Sequence, residues 1–139
     1  MQTFLDFYQR EIQPKIAAID IFLKTETQPY AQDQVSELLC LSATELSNIL
    51  EQEKLAIITK GTFLHLMQTG PSLICKMFGR ELSRGMSASY TPQEISYIYS
   101  LELKDVEAAA EKLGMSCFLP AELPLIFGEI VISDKQYRL

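Results

Sequence analysis

Two stretches of this chain, sixty residues apart, align without a gap: "YAQDQVSELLCLSATELSNILEQ" from Tyr30 and "YTPQEISYIYSLELKDVEAAAEK" from Tyr90. Tyr30 matches Tyr90, Ser36 matches Ser96, Leu41 matches Leu101 and Glu51 matches Glu111. Val35/Ile95, Leu38/Ile98, Glu45/Asp105 and Leu46/Val106 are conservative pairs. Both stretches carry apolar residues at steps of three and four, the helical period. The repeat predicts one local helical structure folded twice.

The matched positions have physical work to do. Where two helices pack across a tight turn, the first needs a small residue at the crossing point, a place filled by Ser36 and Ser96. An apolar residue just after the turn plugs the angle, here Leu41 and Leu101. Leu46 and Ile49, then Val106 and Ala109, turn the second helix toward the core. Ser42 and Glu45 form an S-x-x-E capping box that starts the second helix of the first copy.

On these residues both stretches resemble the helix-turn-helix superfamily of bacterial regulators, over residues 32–51 and 92–111, the first more closely than the second. The resemblance implies a second helix whose exposed face reads DNA. Two departures stand out. The turn position usually held by glycine is Cys40 in one copy and Ser100 in the other. The face on which the family places Arg, Lys, Gln or Asn carries Thr44, Ser47, Asn48 and Gln52 in the first copy, and Lys104, Glu107 and Glu111 in the second.

The remaining chain reads as helical too. Residues 1–28 form an amphipathic helix striped by Phe4, Leu5, Tyr8, Ile12, Ile16, Ile19, Phe22 and Leu23, with Pro14 on the polar face. That stripe suits either a core helix or a dimerisation helix. The first repeat unit spans 30–54. After it, Lys60-Gly61 fits the turn of a hairpin wing, or Thr62 caps a helix carrying Phe63, Leu64, Leu66 and Met67. Residues 62–85 are a central basic segment, in which Gly70 stops one helix and Ser72 caps the next, with Leu73, Ile74, Met77, Phe78 and Leu82 inward. The second unit, 90–114, starts with Thr91 as N-cap, Pro92 at the first helical position and Glu94 three residues after the cap. The tail, 118–139, has an apolar run compatible with helix or strand, and its last six residues are polar enough for an arm. The expected fold is all-α, a single domain over 1–139 with about six or seven helices.

Charge decides which functions are plausible. The formal net charge is −6. Residues 1–53 hold nine acids and three bases, whereas 54–93 hold Lys54, Lys60, Lys76, Arg80 and Arg84 against Glu81 alone. DNA affinity rests first on neutralising phosphate. The first unit offers hydrogen-bonding side chains there but no cation, so anchoring must come from the central segment, where Lys76, Arg80 and Arg84 recur every four residues. The expected function is therefore a small regulatory protein binding nucleic acid, DNA first, through Ser42, Thr44, Asn48, Gln52, Lys54, Lys60, Lys76, Arg80 and Arg84. The alternative is a protein–protein adaptor whose acidic helix-turn-helix-like scaffold binds a basic partner. A homodimer through the N-terminal helix or C-terminal tail is compatible with either.

Other classes find little footing. No apolar run approaches the ~20 residues that span a bilayer, and the N-terminus lacks a secretory pattern, so a cytoplasmic protein without membrane contact is expected. Cys40, Cys75 and Cys117 sit in apolar contexts without a C-x-x-C pair, and His65 is the one histidine, set in an apolar segment as a core or boundary residue. Neither a metal nor a cofactor nor a catalytic residue is expected.

Overall fold

The computed structural model describes residues 2–85, 87–133, 137 and 139. It is an all-α single domain with one two-stranded sheet that joins the ends of the chain. Strand β1 (Gln2–Thr3) leads into α1 (Phe4–Phe7), a π-helical stretch (Tyr8–Ile12) and α2 (Gln13–Thr25). Thr3 starts this arm with a capping box: its Oγ1 accepts the Asp6 N–H at 3.2 Å, and its own N–H donates to Asp6 Oδ2 at 3.2 Å. Pro14 has no N–H to return to the preceding turn. The chain accommodates it by widening just before it, where the Gln13 N–H reaches back to the Tyr8 carbonyl. The helix continues through the proline, and Phe4, Phe7, Ile12, Ile19 and Phe22 all stay buried.

The two repeat units are α3 (Gln32–Leu38) with α4 (Ala43–Gln52), and α7 (Pro92–Tyr99) with α8 (Leu103–Leu113). Ser36 and Ser96 do more than save space at the crossing. The Ser36 hydroxyl donates to the Leu41 carbonyl at 2.5 Å, and Ser96 does the same to Leu101 at 2.6 Å. The Leu41 and Leu101 N–H groups return bonds of 3.0 Å to the Ser36 and Ser96 carbonyls. Each turn is thus locked from both sides. Cys40 and Ser100 adopt the left-handed conformation that glycine usually serves, at φ 55° and 54°.

The repeat extends well past the aligned helices. Lys54 and Gly114, again sixty apart, are both left-handed at φ 57° and 68°, and both end their helix the same way. The Leu55 N–H bonds the Leu50 carbonyl, and the Met115 N–H bonds Ala110. One antiparallel bridge then closes each unit, Tyr30 with Ile58 and Tyr90 with Phe118. A helix precedes each unit at the same spacing, α2 from Gln13 and α6 (Leu73–Ser83) from Leu73. A helix also follows each, α5 (Lys60–Thr69) in the first and α9 (Leu123–Phe127), after a 3₁₀ turn, in the second.

Several local expectations change. Lys60-Gly61 is not a hairpin turn but the first turn of α5, and the cap is Thr59, whose Oγ1 accepts the Thr62 N–H at 3.2 Å. On α6, Leu82 faces solvent at 61% exposure while Cys75 takes an inward place, and α5 crosses close by at Gly79. A Cβ at Gly79 would sit 2.4 Å from the Gln68 carbonyl oxygen. The apolar tail uses both options, α9 followed by β2 (Val131–Ile132), which pairs antiparallel with β1. Of the expected terminal arm, residues 134–136 and 138 lie outside the described residues. Tyr137 is not free: its ring is buried against Phe4 and Phe7, and its hydroxyl donates to the Tyr99 carbonyl.

Two aromatic groups anchor the two units. Phe22, Tyr30 and Phe63 meet beneath the first, with Phe22 and Tyr30 ring centroids 4.6 Å apart. Phe4 stands at the centre of the other, edge-on to Phe127 at 4.8 Å and Tyr137 at 5.1 Å, with Tyr99 at 5.7 Å. Edge-to-face packing of this kind adds to the apolar burial.

Candidate interaction surfaces

The basic stripe on α6 divides by depth. Lys76 is exposed. Arg80 Nη1 donates to the Tyr97 carbonyl and to Ser100 Oγ, both at 2.7 Å, with its guanidinium 4.7 Å from the Tyr97 ring centre. Arg84 is the deepest, its side chain only 8% exposed. It pairs with Glu94 Oε2 at 3.1 Å and Glu81 Oε1 at 3.4 Å, donates to the Ser87 and Ser89 carbonyls, and stacks 3.9 Å above the Tyr90 ring. A guanidinium leaves water only when its donors are met, and here several are. Arg80 and Arg84 therefore fasten α6 to the second unit.

The surrounding titrations follow. The Thr91 N–H, and then Arg84, hold the Glu94 carboxyl below the usual carboxylate range. Burial, then the hydrogen bond and charge of Glu81, push the Tyr90 phenol up to about 12. That phenol donates to Glu81 Oε1 at 2.7 Å.

On the first unit, Ser42 is engaged as a cap: its Oγ accepts the Glu45 N–H at 3.0 Å, and Glu45 Oε1 accepts the Ser42 N–H at 2.9 Å. Thr44, Asn48 and Gln52 recur every four residues along α4 and are exposed, as are Ser47 and Glu51. Lys54 is exposed just past the helix, and Lys60 opens α5, its N–H bonded to Gln28 Oε1 at 2.9 Å. The structure does not join Arg80 and Arg84 to this face, since their partners are Glu81 and residues of the second unit and the loop before it. On α8, Lys104, Asp105, Glu107 and Glu111 are exposed, and Lys112 pairs with Glu129 at 2.7 Å.

His65 lies at the surface rather than in the core, because the α5 stripe is filled by Phe63 and Leu66; its Nε2 is 3.0 Å from Glu53 Oε1. Burial raises the Cys40 and Cys75 thiols above their ordinary range, against nucleophilic use. Tyr97 is 59% exposed and Tyr99 8%, so the two tyrosines point to different sides as their spacing predicts. Among the described residues, no three His, Cys, Asp or Glu side chains gather in a way that would hold a metal. No described helix is long and apolar enough to cross a membrane.

Between α2 and α3 runs an open groove of about 420 Å³, with Ala18, Ile21, Phe22 and Leu38 as its apolar lining and Glu26 and Glu37 on its rim. Its one sequence signal is Ile21, an apolar residue outside the helical stripe and 60% exposed.

No protein-family model matches the chain, and no curated protein or solved structure matches it either.

Proposed function

We propose that this chain is a cytoplasmic protein-interaction scaffold that presents two helix-turn-helix-like units to a basic protein partner. The observation that carries the reading is the internal use of Arg80 and Arg84. With these committed to the second unit, the exposed sides of α4 and α8 offer Glu51, Asp105, Glu107 and Glu111 with Lys104 among them. Such a surface repels phosphate and attracts cations. Exposed Asn48 and Gln52, followed by Lys54, favour a second reading in which α4 contacts nucleic acid.

The two readings separate in one titration. Fluorescence anisotropy of mixed-sequence duplex DNA, at two salt concentrations, is expected to show no binding beyond a weak background. Binding that weakens steeply with salt and disappears in a Lys54→Glu/Lys60→Glu/Lys76→Glu variant would establish the nucleic-acid reading instead. All three lysines are exposed, so that variant should fold normally.

A further inference from the structure

We infer that the groove between α2 and α3 receives a positively charged amphipathic helix from a partner protein, an inference that rests on the scaffold reading above. The second unit shows what a filled contact at this place requires. There α6 is drawn onto α7 by Arg80, which bonds the Tyr97 carbonyl, and by Arg84, which pairs with Glu94. Sixty residues earlier, Asp20 stands where Arg80 is, Ala18 where Phe78 is, and Gln34 where Glu94 is. The first unit thus lacks the guanidinium and the carboxylate that draw the second together.

What remains open has a definite chemistry. Ile21, on the wall of the groove, is 60% exposed, Ala18 and Leu38 supply further apolar surface, and the buried Phe22 lies beneath them. The groove's one cation, Lys15, already donates to the Glu37 carbonyl at 2.6 Å, the counterpart of the bond from Arg80 to Tyr97. Glu26 and Glu37 form an acidic rim, and Asp33 is exposed close by in sequence on α3. Two helices flanking an apolar floor fit the helix-in-groove mode, with apolar anchors one turn apart. Complementarity to the rim requires Lys or Arg beside those anchors. The same rim disfavours nucleic acid.

The test is an amide-resonance titration of the ¹⁵N-labelled protein with synthetic peptides. One peptide is a helix with Leu at helical spacing and Lys and Arg beside it; a second is its scramble; a third replaces the basic residues with Glu. The basic amphipathic peptide should shift Ala18, Ile21, Thr25, Gln34 and Leu38, with the other two binding at least about tenfold more weakly. Ile21→Asp should cut binding by about tenfold, with circular dichroism unchanged because the residue is exposed, and Ile21→Leu should restore it. Shifts confined to Thr44, Asn48 and Glu51 on α4 would overturn the groove inference while leaving the scaffold reading in place. Absence of binding by any basic peptide would remove both. A concentration-dependent dimer in sedimentation, abolished by Ile21→Asp, would assign the groove to a second copy of this chain and overturn the inference.

Discussion

The two units of this molecule share a turn and differ in what holds them to the helix in front. In the second, Arg84 is sunk between Glu81 and Glu94 and lies over Tyr90. In the first, its counterpart Lys24 makes an exposed pair with Asp20, and Tyr30 is covered by Phe22 instead. One unit is closed by a buried cation and the other by an aromatic ring with a groove beside it. The bonds that specify the turn are present in both, whereas the contact surfaces differ. What repeats is what the backbone of the turn needs, and the side chains around it differ.

The largest test of that contrast is a pair of truncations. Arg84→Ala should destabilise the protein by about 2–4 kcal/mol in urea unfolding, because it removes two ion pairs, two bonds to backbone carbonyls and the cover of the Tyr90 ring at a side chain only 8% exposed. Lys24→Ala should cost less than about 0.5 kcal/mol, since both of its pair members are exposed. Equal effects would erase the distinction.

A smaller pair probes the shared left-handed helix ends. Gly114→Ala should cost about 1 kcal/mol, while Lys54→Gly should gain up to about the same, as measured by thermal unfolding. The two α-helical starts give the next comparison. Ser42→Ala should lose about 1 kcal/mol with its capping box, and Glu102→Ser, which supplies the side-chain cap that α8 lacks, should gain somewhat less.

The last effect is absent at neutral pH. Tyr90 is pushed up to about 12, and burial also raises Tyr99 and Tyr137. A raised folded value means stability that is complete below the ordinary tyrosine range near 10 and lost as pH rises through about 12. All three rings serve the second unit, so alkaline titration should loosen α7 and α8 first, seen as amide exchange that accompanies the rise in tyrosinate absorbance. Simultaneous loss of both units would weaken the contrast.

Much of the fold was legible because it depends on local rules. Ser42, Ser72 and Thr91 cap the helices they precede, and Ser36 and Ser96 mark both crossings. The αL turns were legible in position but not in residue type, since Cys40 and Ser100 carry them without glycine. The fate of Arg80 and Arg84 was not legible at all. Their period of four places them on one stripe, but whether that stripe meets solvent or α7 depends on how α5 and α6 cross at Gly79, a tertiary choice. The groove was hidden for the same reason, as it exists only in the gap between α2 and α3.

Phe4 sits at the centre of a cluster completed by Tyr99, Phe127 and Tyr137, and its N–H bonds the Ile130 carbonyl at 2.7 Å. The second unit therefore borrows its core from the residues made before the first. A chain leaving the ribosome from its N-terminus can close the Phe22–Tyr30–Phe63 group early, but Phe4 waits until residue 127 and beyond have emerged. The first unit's aromatic group is built from residues 22–63 alone, whereas the second unit's joins residue 4 to residues 99, 127 and 137.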